Sequence, residues 1–148
     1  MKSYAYLILS LLIFTSCGKD NDFEPQTEAD IIAYIAANDL NATRTSSGLY
    51  YVIDNSGSGT RPTSTSNVTV AYKGYFLDGN TFDQSGDAGI SFGLNRVIPG
   101  WTEGIPLFKE GGEGMLLIPY NLGYGANTRN GIPGGSVLLF DIKLIRVN

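Results

Sequence analysis

The chain has 148 residues, 43% of them apolar, and a formal charge of −4, which suits one domain with a sizeable core and a tail rather than two large domains. The acidic balance excludes a nucleic-acid binder that depends on a basic stripe to meet phosphates. The absence of histidine removes the Ser-His-Asp arrangement, the usual acid-base group and the commonest metal ligand together, and the single cysteine permits neither an internal disulfide nor a thiolate zinc cluster.

The first residues account for that cysteine. Lys2 precedes an apolar run from Tyr6 to Phe14 that is too short to anchor in a bilayer by itself, and Thr15 and Ser16 lead into Cys17. Residues 1–16 resemble a bacterial lipoprotein signal, with cleavage leaving a lipidated Cys17 at the new N-terminus; the alternative is an ordinary secretory signal followed by an incidental cysteine. Each acyl CH₂ buried in a membrane contributes roughly 0.8 kcal/mol, so such an anchor tethers a domain without embedding it. Residues 17–26 are polar and read as a flexible, solvated tether. By the same resemblance Gly18 directs the protein to the outer membrane, facing the periplasm, while the acidic Asp20-Asn21-Asp22 run resembles signals for export to the cell surface.

Residues 27–47 form an N-terminal helix and linker. In TEADIIAYIAANDL, Thr27 and Asp30 have the spacing of a capping box, and Ile31 and Ile35 recur at helical intervals. The apolar face of this short helix needs a cover. Packing on the domain and dimerisation with a second copy both supply one.

From Gly48 onward, residues 48–148, the apolar pattern shifts to short runs between turn signals: Leu49 to Asp54, Val68 to Phe76, Gly114 to Ile118 and Val137 to Val147. Nineteen glycines and six prolines agree with short antiparallel strands. Alternation puts Val68, Val70 and Tyr72 on one face, and Leu138, Phe140, Ile142 and Leu144 on the core face of the last run. Trp101, the only tryptophan, recurs with Ile105 and Phe108 at helical spacing after a Pro99-Gly100 turn, and Pro106 limits the helix. Asp83 is either an exposed turn carboxylate or a partly buried acceptor for an inward tyrosine hydroxyl. The 78–87 segment lacks calcium-loop spacing, and the 111–114 glycines lack the lysine of a phosphate loop.

Four stretches in order, VTVAYKGYFLDGNTFDQS, ISFGLNRVIPGWTEGIPLFKEGGEG, LLIPYNLGYG and GSVLLFDIKLI, resemble the FKBP-type peptidyl-prolyl isomerases from Gly48 to the C-terminus. The resemblance implies an α+β fold, a bent antiparallel sheet wrapped around one short helix, to which this chain adds its N-terminal helix. It implies a pocket walled by Tyr72, Phe82, Asp83, Val97, Ile98, Tyr124 and Phe140 with Trp101 as floor, Ile90 as a further wall and Ile132 on a flap after Tyr124. Asp83 then accepts a hydrogen bond from Tyr72, while the Ile98 backbone and the Tyr124 hydroxyl hold substrate carbonyls. The implied partners are unfolded or partly folded exported proteins with X-Pro bonds, and macrolide inhibitors. No cofactor or metal is implied. Departures from the family pattern are Gln84-Ser85-Gly86-Asp87, where a basic residue is common, and Gly134, where a second proline is common; Gly134 predicts a looser flap, and the two together predict a lower activity or an altered substrate choice.

The implied chemistry suits this composition. Rotation about an X-Pro bond breaks no covalent bond; its barrier of about 18–20 kcal/mol comes from amide resonance. A dry apolar pocket favours the twisted, less polar amide over the planar one, and each 1.36 kcal/mol of that preference is about tenfold in rate. The alternative is a non-enzymatic chaperone that uses the same pocket to bind proline-containing segments.

Overall fold

The computed structural model describes residues 24 to 148. The expected signal, 1–16, and the lipidation site Cys17 lie outside the described residues. In chain order the elements are α1 (Glu28–Ala37), β1 (Thr43–Arg44), β2 (Tyr50–Asn55), β3 (Asn67–Tyr75), β4 (Thr81–Gln84), β5 (Ile90–Gly93), α2 (Pro99–Gly104), β6 (Glu113–Ile118) and β7 (Leu138–Val147). They build a seven-stranded antiparallel sheet ordered β1-β2-β6-β7-β3-β4, with β5 also on β3. The nine-residue β3 takes both short partners on one edge, β5 against Asn67 to Val70 and β4 against Lys73 to Tyr75. Register shifts at Thr69/Val70, Gly74/Tyr75 and Ile53/Asn55 mark where an extra residue bends a strand.

The concave face holds α2. Two glycines one turn apart make the approach close: a Cβ on Gly100 would lie 2.6 Å from Ile118 Cγ2, and one on Gly104 would lie 2.7 Å from Leu116 Cδ1. Between them Trp101 turns into the core with Leu116, Phe140 and Leu144. Thr102 ties the helix to the preceding chain, its Oγ1 donating to the Leu94 carbonyl at 2.6 Å. The expected Pro99-Gly100 turn is instead the first turn of α2, because Pro at the first helical position lacks only an N–H that would be orphaned anyway. Pro106 falls in the single 3-10 turn, Ile105 to Leu107, that ends the helical segment.

The sheet is also covered behind. Ile31 of α1 is fully buried with Tyr50, Leu117, Val137 and Leu139, the residues that alternate with the concave-face set. Between the two covers the sequence needed, α1 therefore uses its own domain. β6 and the start of β7 are buried on both faces, which is why the run VLLF is continuously apolar. Asp30 accepts from the Thr27 N–H at 2.6 Å and from its hydroxyl at 3.0 Å, fixing the helix start. Glu28 accepts from the Tyr50 hydroxyl at 2.7 Å and pairs with Arg44 of β1. The 27–47 segment is thus continuous with the sheet through β1, and Gln26, expected in the tether, is hydrogen-bonded to Gly135 and Val137.

Candidate proline-binding site

A cavity of about 560 Å³ opens between the concave face, α2 and the 123–129 loop. Tyr72, Phe82, Asp83, Ile90, Val97, Ile98, Trp101, Tyr124 and Phe140 all line it. Tyr72 comes from β3, Phe82 and Asp83 from β4, Ile90 from β5, Phe140 from β7, and Val97 and Ile98 from the bend that enters α2. Trp101, at 6% exposure, sits where the rings converge. Tyr72 meets it edge-on with centroids 4.9 Å apart, and Phe140 meets it at 5.1 Å and 78°. Phe82 stands perpendicular to Phe140 at 5.5 Å. Edge-to-face rings lock one another's rotamers, so the walls hold their shape without a ligand. Gly74 permits this closure: a Cβ there would lie 2.7 Å from Phe140 and 2.8 Å from Phe82.

The Tyr72 hydroxyl donates to Asp83 Oδ2 at 2.7 Å, so the acceptor role holds. One part of the expectation is corrected: Asp83 is exposed rather than partly buried, because β4 is an edge strand with solvent beside it. Burial first, then the hydrogen bond and charge of Asp83, then Tyr124, hold the Tyr72 proton well above the ordinary tyrosine range. Burial, and secondarily Asp83, raise Tyr124 as well, keeping its hydroxyl a neutral donor. Among the described residues neither the Tyr124 hydroxyl nor the Ile98 N–H has an acceptor. Two donors at one cavity are thus free for carbonyl oxygens.

Tyr75 on the opposite face is pushed up in the same way, by burial first and then by Asp141, to which its hydroxyl donates at 3.0 Å. Both tyrosines keep their protons more tightly folded than unfolded. Their contribution to stability is full below the ordinary value of 10 and is lost as pH climbs from there towards the folded values. The urea midpoint is expected to fall steeply above about pH 10, and Tyr72→Phe with Tyr75→Phe to flatten that fall; an unchanged slope would count against these two protons as its origin.

Ile132 is the residue the structure does not bring to the cavity. It is 6% exposed and belongs to the core. Its N–H donates to the Arg129 carbonyl at 2.9 Å and its carbonyl accepts the Arg129 N–H at 3.0 Å, closing a tight turn through Asn130 and Gly131, whose φ values are 53° and 79°. Two successive left-handed residues are the mark of a two-residue hairpin turn, and Asn-Gly is its usual sequence. Ile132 therefore roots the loop that carries Arg129 to the cavity. Gly134 does not loosen this loop. A Cβ there would lie 2.0 Å from the Ala126 carbonyl, and its N–H donates to Thr128 Oγ1 at 3.2 Å.

Phe92, Arg96 and Arg129 also line the cavity and escaped the sequence reading. Phe92 tilts against Trp101 at 5.2 Å and 39°. Its alternation with Ile90 on a four-residue strand was the available signal. The two arginines are exposed and, among the described residues, form no ion pair. A second depression, about 430 Å³, lies among Lys73, Asp87, Glu113 and Asp141 and is lined mainly by charged and small residues, with Tyr72 the one ring.

An enclosed patch of interlocked rings, two free hydrogen-bond donors and no nucleophile can hold an apolar ring and fix the carbonyls beside it. A family model described as FKBP-type peptidyl-prolyl cis-trans isomerase matches residues 58–145. The chain belongs to this family. It is 46% identical over 108 residues to the FKBP-type peptidyl-prolyl cis-trans isomerase FkpA of Buchnera aphidicola subsp. Schizaphis graminum, covering 71% of this chain and 43% of the relative. To FkpA of Escherichia coli it is 45% identical over 104 residues, covering 69% of this chain and 38% of the relative. The matched region is thus less than half the length of these relatives. The crystal structure of FkpA from Escherichia coli superposes with a TM-score of 0.75 at 37% identity, over 81% of this chain and 58% of that one. A peptidyl-prolyl cis-trans isomerase of Pseudomonas syringae pv. tomato gives 0.71 at 30% identity, over 85% and 98%. The bent sheet around α2 is the FKBP-like fold, here with α1 added behind it.

Proposed function

We propose that this FKBP-type chain is a peptidyl-prolyl cis-trans isomerase that assists the folding of exported proteins while held at a membrane by lipid on Cys17. The observation that carries the catalytic part is the aromatic cavity, with Trp101 as its floor and Tyr72 tied to Asp83. A proline ring laid on Trp101 leaves water, while the Ile98 N–H and the Tyr124 hydroxyl take the flanking carbonyls. The amide nitrogen then sits in a low-dielectric site that disfavours the charge-separated planar form and favours the twisted one. The isomerase activity of the relatives named above supports the reading. The cavity volume suits drug-sized ligands, and the proposal extends to macrolide inhibitors.

The test is the cis-to-trans relaxation of a short X-Pro peptide. The chain is expected to accelerate it, and Asp83→Ala to slow it about tenfold or more without unfolding the domain, because the Tyr72 hydroxyl loses its partner at the cavity wall. Binding of unfolded protein without acceleration would identify a holding module instead. Arg96 and Arg129 at the rim, which form no ion pair among the described residues, predict a substrate class in the same assay. Glutamate beside proline should outperform lysine by about 2–5-fold, the range of an exposed ion pair, and equal rates would remove that preference.

The membrane part rests on the signal-like 1–16 stretch and Cys17. Among the described residues no helix is long and apolar enough to cross a membrane. We place the protein at the outer membrane, facing the periplasm, with the cell surface as the variant that the acidic run after Lys19 favours. Cys17→Ala is expected to move it from the membrane to the soluble fraction; unchanged partition would sink the lipid anchor.

A further inference from the structure

The segment that enters the domain ahead of α1 is fastened to the loop that carries Tyr124. The Gln26 N–H donates to the Gly135 carbonyl at 2.9 Å, and Gln26 Oε1 accepts the Val137 N–H at 2.7 Å. Gly135 in turn donates its N–H to the Gly125 carbonyl at 2.9 Å, one residue from Tyr124. The loop from Gly125 to Gly135 is therefore an out-and-back excursion closed at its neck by one backbone bond, and Gln26 holds that neck from outside.

The seat is shaped for this contact. Gly135 has φ +77°, and a Cβ there would lie 2.7 Å from Pro25 Cα, so the leader can approach only because the position is glycine. Val137 is fully buried and Ser136 nearly so, with Ser136 Oγ donating to the Pro133 carbonyl at 2.7 Å. The Val137 N–H lies just before β7 and takes its acceptor from a side chain 111 residues earlier. Removing that acceptor strands a buried donor, which the chain can relieve only by moving the neck.

We infer that Gln26 is a positioning residue: by clamping the neck of the 125–135 loop it holds the Tyr124 wall, and Arg129 beyond it, at the spacing a bound proline segment requires. Part of the segment that leads from Cys17 is thereby built into the binding site. The consequence for turnover rests on the isomerase reading; the clamp itself does not.

The test compares the full chain with Gln26→Leu, which keeps the bulk but cannot accept a hydrogen bond, and Gln26→Glu, which keeps an oxygen in place. Amide hydrogen exchange should rise about tenfold or more at Val137 and Gly135 in Gln26→Leu, with β3 and β6 amides unchanged, and should return towards the parent rate in Gln26→Glu. KM for a proline peptide should rise several-fold with a smaller change in kcat, again recovered by glutamate. Unchanged exchange at the neck, or a uniform rise over the whole sheet, would overturn the clamp. Faster neck exchange with an unchanged KM would overturn the positioning role. If the parent chain shows no isomerase activity while the neck still loosens in Gln26→Leu, the clamp stands and the catalytic reading fails.

Discussion

Phe140→Ala is expected to lower stability by about 3–5 kcal/mol and to remove most of the proposed isomerase activity. The ring is 3% exposed on β7, the strand between β6 and β3, and it touches both the fold and the site. Its edges and face contact Trp101, Phe82 and Tyr72 at centroid distances of 5.1, 5.5 and 6.2 Å. Truncation both opens a void in the core and unlocks the Trp101 floor and the Phe82 and Tyr72 walls. Urea titration measures the first effect and peptide isomerisation the second. Phe140→Leu separates them. It keeps much of the volume, costs less than about 1.5 kcal/mol if the neighbours repack, and leaves a folded domain with the edge-to-face ring contacts missing. A leucine variant as active as the parent would mean that the cavity needs bulk at this position rather than an aromatic ring.

The second large effect is one whose sign helix propensity alone gets wrong. Alanine is favoured over glycine in a helix interior by about 0.8–1.0 kcal/mol, so Gly100→Ala and Gly104→Ala would stabilise an isolated α2. In the domain the added methyl groups would stand 2.6 Å from Ile118 Cγ2 and 2.7 Å from Leu116 Cδ1, both on β6. Overpacking of this kind costs about 1–3 kcal/mol, which outweighs the propensity gain. Each variant is expected to be destabilised, and its activity to fall further than its stability, because Trp101 lies between the two glycines and moves with the helix. Gly86→Ala is the control: a Cβ there meets nothing within 4 Å, and no change in either quantity is expected. A stabilised Gly104→Ala would show that α2 can lift from β6 without penalty.

The inward aromatics of β3 and β7 were legible in the sequence because alternation over several residues has one interpretation: Val68, Val70 and Tyr72 share a face, as do Leu138, Phe140, Ile142 and Leu144, whereas Gly114 to Ile118 was legible only as a continuous apolar run between turn signals. The need of an inward tyrosine hydroxyl for an acceptor left Asp83 open between that role and an exposed turn; the family resemblance is what named Tyr72 as its donor. Short strands carry no such signal. β1 has two residues and β4 and β5 have four each, and they exist because β2 and β3 offer open edges, a fact about neighbours and not about their own composition. Phe92 was missed with β5. Arg96 and Arg129 were missed because an arginine on a loop looks the same whether it lies at a cavity mouth or in open solvent. Ile132 stands on the loop after Tyr124, where it was expected, yet it does not line the cavity. Its side chain fills the core while its backbone shapes the loop, and apolar character does not distinguish an apolar wall from the root beneath it. The continuous burial of β6 and β7 became intelligible only when α1 was found behind them.

Trp101 has a practical consequence. It is the only tryptophan in the sequence, its indole N–H is buried without a hydrogen-bond partner among the described residues, and Tyr72 lies 4.9 Å away. All indole emission from this protein therefore originates at the floor of the cavity, from a chromophore shielded from water and fed by energy transfer from an adjacent phenol. The domain carries its own optical probe: occupancy of the site can be followed in the unlabelled chain, as a change in the colour and intensity of one residue.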